Sequence, residues 1–127
     1  MVGEQFKFLK SHEWIEPEGK RRKVGISDFA QSQLGDIVFV EFPDEDEKDV
    51  AAGDEVCVIE SCKATASVYA PLAGRVVAFN RGLADEPEKI NQSPYEEGWL
   101  FEIEVDEGGD ESGLMDHEAY LKHCNEE

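Results

Sequence analysis

The sequence is short of positive charge. Twelve Lys and Arg stand against 30 Asp and Glu in 127 residues, a formal net charge of −18. Nucleic acid is thereby excluded as a partner, because a phosphate backbone needs a basic face. The same deficit speaks against an anionic membrane surface. No apolar run is long enough to span a bilayer, and the N-terminal MVGEQFKFLKSHEW lacks the apolar stretch of a secretory signal. The three cysteines, Cys57, Cys62 and Cys124, form no CxxC or CxxH pair, so free thiols in a reducing compartment are expected and a zinc site is not. His12, His117 and His123 are scattered, and the last two lack the i, i+4 spacing of a helical metal site. No nucleophile–base pairing or phosphate-cradling loop is evident, so a catalytic role is not expected. The acidity itself has two readings, solubility and steering toward partners with basic docking faces, and composition does not separate them.

What remains describes a small β protein. The length suits a single domain, residues 1–127, with a core over about 8–105 and a C-terminal helix over 110–124. Strand patterns fall at 23–26, 36–42, 55–60, 66–70, 74–80 and 99–105. In 55–60, Val56 and Val58 alternate with Cys57 and Ile59. In 99–105, Trp99, Phe101, Ile103 and Val105 share one face and two glutamates the other, as a half-buried strand requires. Residues 43–49 read as a charged loop, while Gly53-Asp54 and the run from Pro71 to Gly74 punctuate the strands. Such spacing predicts a mainly β fold, a flattened barrel or sandwich of two sheets with short peripheral helices. Asp28 with Gln31 reads as the cap of a short helix that stops at Gly35. Asp116 reads as the cap of the C-terminal helix, with Met115 and Tyr120 as its hydrophobic staple, Tyr120 and Cys124 facing the barrel, and Gly108-Gly109 as the hinge before it.

The informative stretch is GDEVCVIESCKATASVYAPLAGRVVAFN, residues 53–80. Two strands lie about five residues apart, centred on Lys63, and a hairpin is the simplest reading. Lys63 then projects from an exposed tip. A lone lysine there is ordinarily a solvated charge, but its surroundings resemble the swinging-arm module of lipoyl and biotinyl domains. These share a Gly-Asp before the strand (Gly53-Asp54), a modified lysine at the tip (Lys63) and a Pro-x-x-Gly turn (Pro71 to Gly74). Glu60 and Gly74 match the placements that lipoylating enzymes favour. Cys62 and Ala64 stand where biotinyl domains usually carry methionines, so lipoate is the better reading.

Other segments narrow the resemblance. Ser11-His12-Glu13-Trp14, the run from Val24 to Gln31 (VGISDFAQ), LGDIVFVE at 34–41, ESCKA at 60–64, and Asn91 followed by PYEEGWL at 94–100 resemble, in order, the motifs of the glycine cleavage system H proteins. That resemblance implies a non-catalytic lipoyl carrier. Lipoate would be amide-linked to Lys63 as a swinging arm that moves an aminomethyl group from the glycine decarboxylase (P protein) to the aminomethyltransferase (T protein) in glycine catabolism and one-carbon metabolism. It implies dihydrolipoyl dehydrogenase (L protein) and a lipoate ligase or lipoyl transferase as further partners. A monomer in the cytoplasm, or in the mitochondrial matrix of a eukaryote, is expected. An alternative, almost identical in sequence, is an H-like protein that relays lipoate or octanoate to other enzymes. The resemblance also implies that Ser11, Glu13 and the residue at 67 shelter the loaded arm in a cleft. Here Ala66 and Ser67 stand where the family commonly has Ser and an acidic residue, and Cys62 takes the place of a valine beside the lysine. Asn91, Tyr95 and Trp99 read as structural.

Overall fold

A computed structural model describes residues 6–17, 19–44, 47–105 and 114–125. Among the described residues nine strands make two antiparallel sheets. They are β1 (Lys7–Phe8), β2 (Glu13–Ile15), β3 (Arg21–Ile26), β4 (Ile37–Glu41), β5 (Lys48–Val50), β6 (Glu55–Ser61), β7 (Thr65–Tyr69), β8 (Gly74–Phe79) and β9 (Phe101–Val105). The larger sheet runs β1-β2-β3-β9-β8-β5 and the smaller β4-β6-β7, so the fold is a sandwich of two sheets, not a closed barrel. Its core combines Ile15, Val24, Val76 and Ile103 of the larger sheet with Val40, Ile59 and Val68 of the smaller. Three short helical elements lie at the periphery: α1 (Asp28–Leu34), a 3-10 turn at Arg81–Ala84 and α2 (Lys89–Gln92). Leu83 and Ile90, from the last two, close the core.

A second apolar cluster, Phe6, Phe8, Trp14 and Tyr120, joins β1 and β2 to the C-terminal helix α3 (His117–Asn125). Phe8 and Tyr120 stack at 4.3 Å, Phe6 and Trp14 at 4.4 Å. Each ring buried this way contributes about 2 kcal/mol through apolar area alone. The Trp14 indole N–H donates to the Pro94 carbonyl at 2.9 Å, which satisfies its one buried donor.

The sequence expectations hold for most strands and shift at particular places. Residues 48–49, expected in a loop, belong to β5, whose partner β8 supplies Arg75 to pair with Glu47 and Asp49. Trp99 lies before β9, half-buried beneath the Lys23 ammonium at 5.2 Å. Phe101 and Ile103 face the core, as their alternation requires. Pairing of β6 with β7 shifts between Glu55 and Cys57, and Val56 and Cys57 are both buried there. A strict alternation would have divided them; a bulge adds the extra residue that brings both inward. A similar shift in β4 buries Ile37 and Val40 and leaves Val38 and Phe39 exposed.

The cap of α1 is displaced by one residue, while Asp116 caps α3 as expected, so that this helix starts at 117 and not at 110. The cap of α1 is Ser27, not Asp28: Ser27 is extended and its hydroxyl accepts the Ala30 N–H at 3.1 Å. Asp28 is the first helical residue, its carboxylate near the positive end of the helix and accepting from the Gln31 amide at 2.8 Å. Helix α3 begins at 117 because Met115 is held in an isolated bridge with Phe8 and Asp116 accepts the Ala119 N–H at 2.8 Å. Met115, Tyr120 and Cys124 do pack in the second cluster. Gly108 and Gly109 lie outside the described residues.

Candidate functional site

The tip carrying Lys63 is tighter than its sequence suggests. Ser61 and Thr65 join the ladder, which leaves the three residues Cys62, Lys63 and Ala64 in the turn. Ser61 is the reason. Its backbone N–H donates to the Ala64 carbonyl at 2.8 Å, and its hydroxyl accepts the N–H groups of Lys63 and Ala64 at 3.1 and 3.0 Å. A short polar side chain thus satisfies the turn's own donors. Lys63 is exposed. Its aliphatic stem lies across Gly35, where a methyl group would sit 3.3 Å from the Lys63 Cε. Gly35 also has φ +78°, a conformation that favours glycine, so the stop of α1 and the seat of the lysine are one residue.

Beside this seat lies a cleft of about 330 Å³. One wall is α1, through Phe29, Ala30, Gln33 and Leu34. The other walls are the start of β2 and the smaller sheet at Ile59, Ala66, Ser67 and Val68. Ser11, His12 and Glu13 line its polar end. Ser11, Glu13 and Ser67, the three residues singled out in the sequence, all line this cleft. Glu13 is almost fully buried: its carboxylate accepts the Ser11 hydroxyl and, at 2.7 Å, the Tyr69 N–H. Burial pushes this carboxyl above the ordinary carboxylate value, against the two hydrogen bonds, which favour the charged form. Ser67 donates to the Glu55 carboxylate at 2.8 Å, so a negative charge sits beside the position where the side chain itself has none.

No residue of α1 is fully buried, and Ala30 and Leu34 are the ones that pack partly buried against the core. Its N-terminus is tied from outside. The buried Tyr120 hydroxyl is hydrogen bonded to both Ser27 and the His12 imidazole, the latter at 2.7 Å, and Tyr95 accepts the Asp28 N–H at 3.0 Å. Tyr120 thereby bridges two walls of the cleft. His12 adopts φ +78°, which turns the chain between Ser11 and Glu13. Composition and motif reading did not single out Tyr120 or His12 for this; their partners are far away in sequence.

Glu60 lies one residue before the ladder's end, paired with Phe39 and Thr65. Gly74 lies on the other sheet, between Val50 and Val105. The thiols are accounted for. Cys57 is buried and its acidity is weakened by burial and by the charges of Glu13 and Glu55, which suits an inert core residue. Cys62 is exposed and Cys124 half-buried. Among the described residues no cluster of His, Cys, Asp and Glu suits a metal ion, and no helix is long and apolar enough to cross a membrane.

The family model for the glycine cleavage H-protein matches residues 6–127. The chain belongs to the glycine cleavage H-protein family. It is 48% identical to the glycine cleavage system H protein of Alteromonas mediterranea, over 95% of this chain and 94% of that one. It is 47% identical to that of Thermotoga maritima, over 95% and 97%. The crystal structure of a glycine cleavage system H protein from Mycobacterium marinum superposes with a TM-score of 0.86 at 30% identity, covering 96% of this chain and 98% of that one.

For this member of the H-protein family, the buried Glu13 makes a testable statement about pH. An acid whose folded pKa is raised binds its proton more tightly in the folded state. Stability is then lost as pH rises from the ordinary value of 4.5 through the raised one. Glu13→Gln removes that dependence and keeps an acceptor for Tyr69. In urea melts from about pH 4 to about pH 8, the stability of Glu13→Gln relative to the native chain is expected to increase with pH. A difference that is flat across this range would mean that burial does not govern Glu13.

Proposed function

We propose that this chain is the lipoyl carrier of the glycine cleavage system, with lipoate joined by an amide to Lys63. In this reading it moves the aminomethyl group from the glycine decarboxylase to the aminomethyltransferase, serves dihydrolipoyl dehydrogenase in turn, and is itself non-catalytic. The observation that supports it best is the placement of Lys63, an exposed amine on a tip held by Ser61 with its stem on Gly35, beside a cleft with apolar walls and one polar end. Those residues suit a slender apolar arm with a polar head, and the cleft volume falls in the range of small-molecule sites. When bound, lipoate supplies a disulfide that accepts the transferred group and is reduced in doing so.

The chain's own contribution is position and shelter. A tether on a rigid hairpin keeps the arm at high local concentration for each partner in succession. Ile59, Phe29 and Leu34 would exclude water from the arm's apolar part. Glu13, oriented by Ser11 and the Tyr69 N–H, would accept a protonated amine at the polar end, and Ser67 with Glu55 would add a second negative site at its rim.

The test is incubation with a lipoate ligase, lipoate and ATP, followed by intact mass and peptide mapping. One lipoyl group on the Lys63 peptide is expected, and the loaded chain should then support exchange of carbon dioxide with glycine by the decarboxylase. Lipoylation without exchange would instead favour a relay of lipoate to other enzymes. No lipoyl gain, with the ligase active on another lipoyl domain, would reject the carrier reading.

A further inference from the structure

We propose that Asn91 is a positioning residue for Lys63: it holds the shelf on which the lysine tip rests and so sets how readily Lys63 is modified. The proposal rests on the carrier reading above. Asn91 belongs to α2, which is anchored by the fully buried Ile90. Its side chain crosses to the segment after α1. Oδ1 accepts the Ile37 N–H at 2.9 Å, while Nδ2 donates to the Gly35 carbonyl and to Gln31 Oε1, each at 2.9 Å. An amide has few capacities beyond these, so the residue is committed to this one job.

The bonds to Gly35 and Ile37 bracket Asp36 between them. The Asp36 carbonyl accepts the Cys62 N–H at 3.1 Å, and Gly35 carries the Lys63 stem. Ile37 in turn pairs with Ser61, whose hydroxyl organises the turn. These contacts between the tip and its neighbour all pass through the short segment, Gly35 to Ile37, that Asn91 brackets. Gln31 adds the last turn of α1, so the same amide also fixes the cleft wall that ends at Leu34. A modifying enzyme must meet the lysine amine in a narrow geometry, and small misplacements of a reacting group are costly in rate.

Asn91→Ala and Asn91→Asp test this. The aspartate keeps an acceptor for Ile37 and loses both donors, so it spares part of the bracket should the alanine variant fail to fold. Asn80→Ala is the control, since the Asn80 amide also donates to two backbone carbonyls, of Glu97 and Trp99, at 3.0 and 2.8 Å but not on this shelf. Two quantities are read: kcat/KM for lipoyl transfer by the ligase, and amide exchange at Cys62. For both Asn91 variants, transfer is expected to fall roughly tenfold or more, with the KM for lipoate unchanged, and Cys62 exchange to accelerate. Asn80→Ala is expected to lose stability while both readouts hold. Native rates in Asn91→Asp, or an equal loss of transfer in Asn80→Ala, would overturn the proposal. Failure of the native chain to accept a lipoyl group would overturn the carrier reading instead, and there the unchanged or accelerated Cys62 exchange still decides whether Asn91 holds the tip.

Discussion

Lys63→Arg is expected to leave the fold and its stability unchanged and to abolish lipoyl attachment, with no mass gain after incubation with ligase, lipoate and ATP. The side chain is exposed, and the turn is held by backbone groups and Ser61 that any residue at 63 retains. Exposed substitutions of this kind stay within about 0.5 kcal/mol. Amide formation needs an amine lone pair, and the guanidinium of arginine is delocalised and always charged. The loss is therefore chemical and complete, not a matter of altered docking. Residual gain of a lipoyl group on the variant would place the attachment on another amine and remove Lys63 from the site.

The largest stability loss is expected for Gly74→Ala. A Cβ at this position would sit 2.3 Å from the Glu104 carbonyl oxygen and 3.0 Å from the Val105 Cα. Both belong to the backbone of β9, which is itself bonded to β3 on its other side, so neither can yield without opening a ladder. Overpacking against fixed backbone costs about 3 kcal/mol or more, and urea denaturation reads it directly. The same variant separates two roles for Gly74. If lipoylation falls only as far as the unfolded fraction rises, the glycine serves the sheet. If transfer drops while the chain is still folded, the modifying enzyme reads this position as well, as the family resemblance implies.

Local chemistry made much of the molecule legible. The strand cores around Phe101 and Ile103 follow from alternation, because side chains in a strand point to opposite faces by geometry alone. The hairpin around Lys63 follows from two β-rich runs with a short polar break, and the family motifs placed the lysine at its tip. Register shifts were not legible. Val56 with Cys57, and the exposed pair Val38 and Phe39, depend on bulges between paired strands, and a bulge is settled by the partner strand and the core it must fill. The cap at Ser27 fell one residue from its predicted place because both Ser27 and Asp28 are good caps, and Tyr120 reaches only the first.

The sequence by itself determined the β class, the two helix-forming segments beside it, the free thiols, the acidic surface and the lysine at a tight turn, since each rests on residues close together along the chain. Only the tertiary structure decided how the lysine is seated and the cleft closed. Gly35 meets Lys63, Asn91 brackets Asp36, Tyr120 joins His12 to Ser27, and Glu55 stands beside Ser67. Each of these joins groups from separate elements through contacts that need specific distances and directions, and no periodicity in a sequence encodes which distant partner a given group will meet.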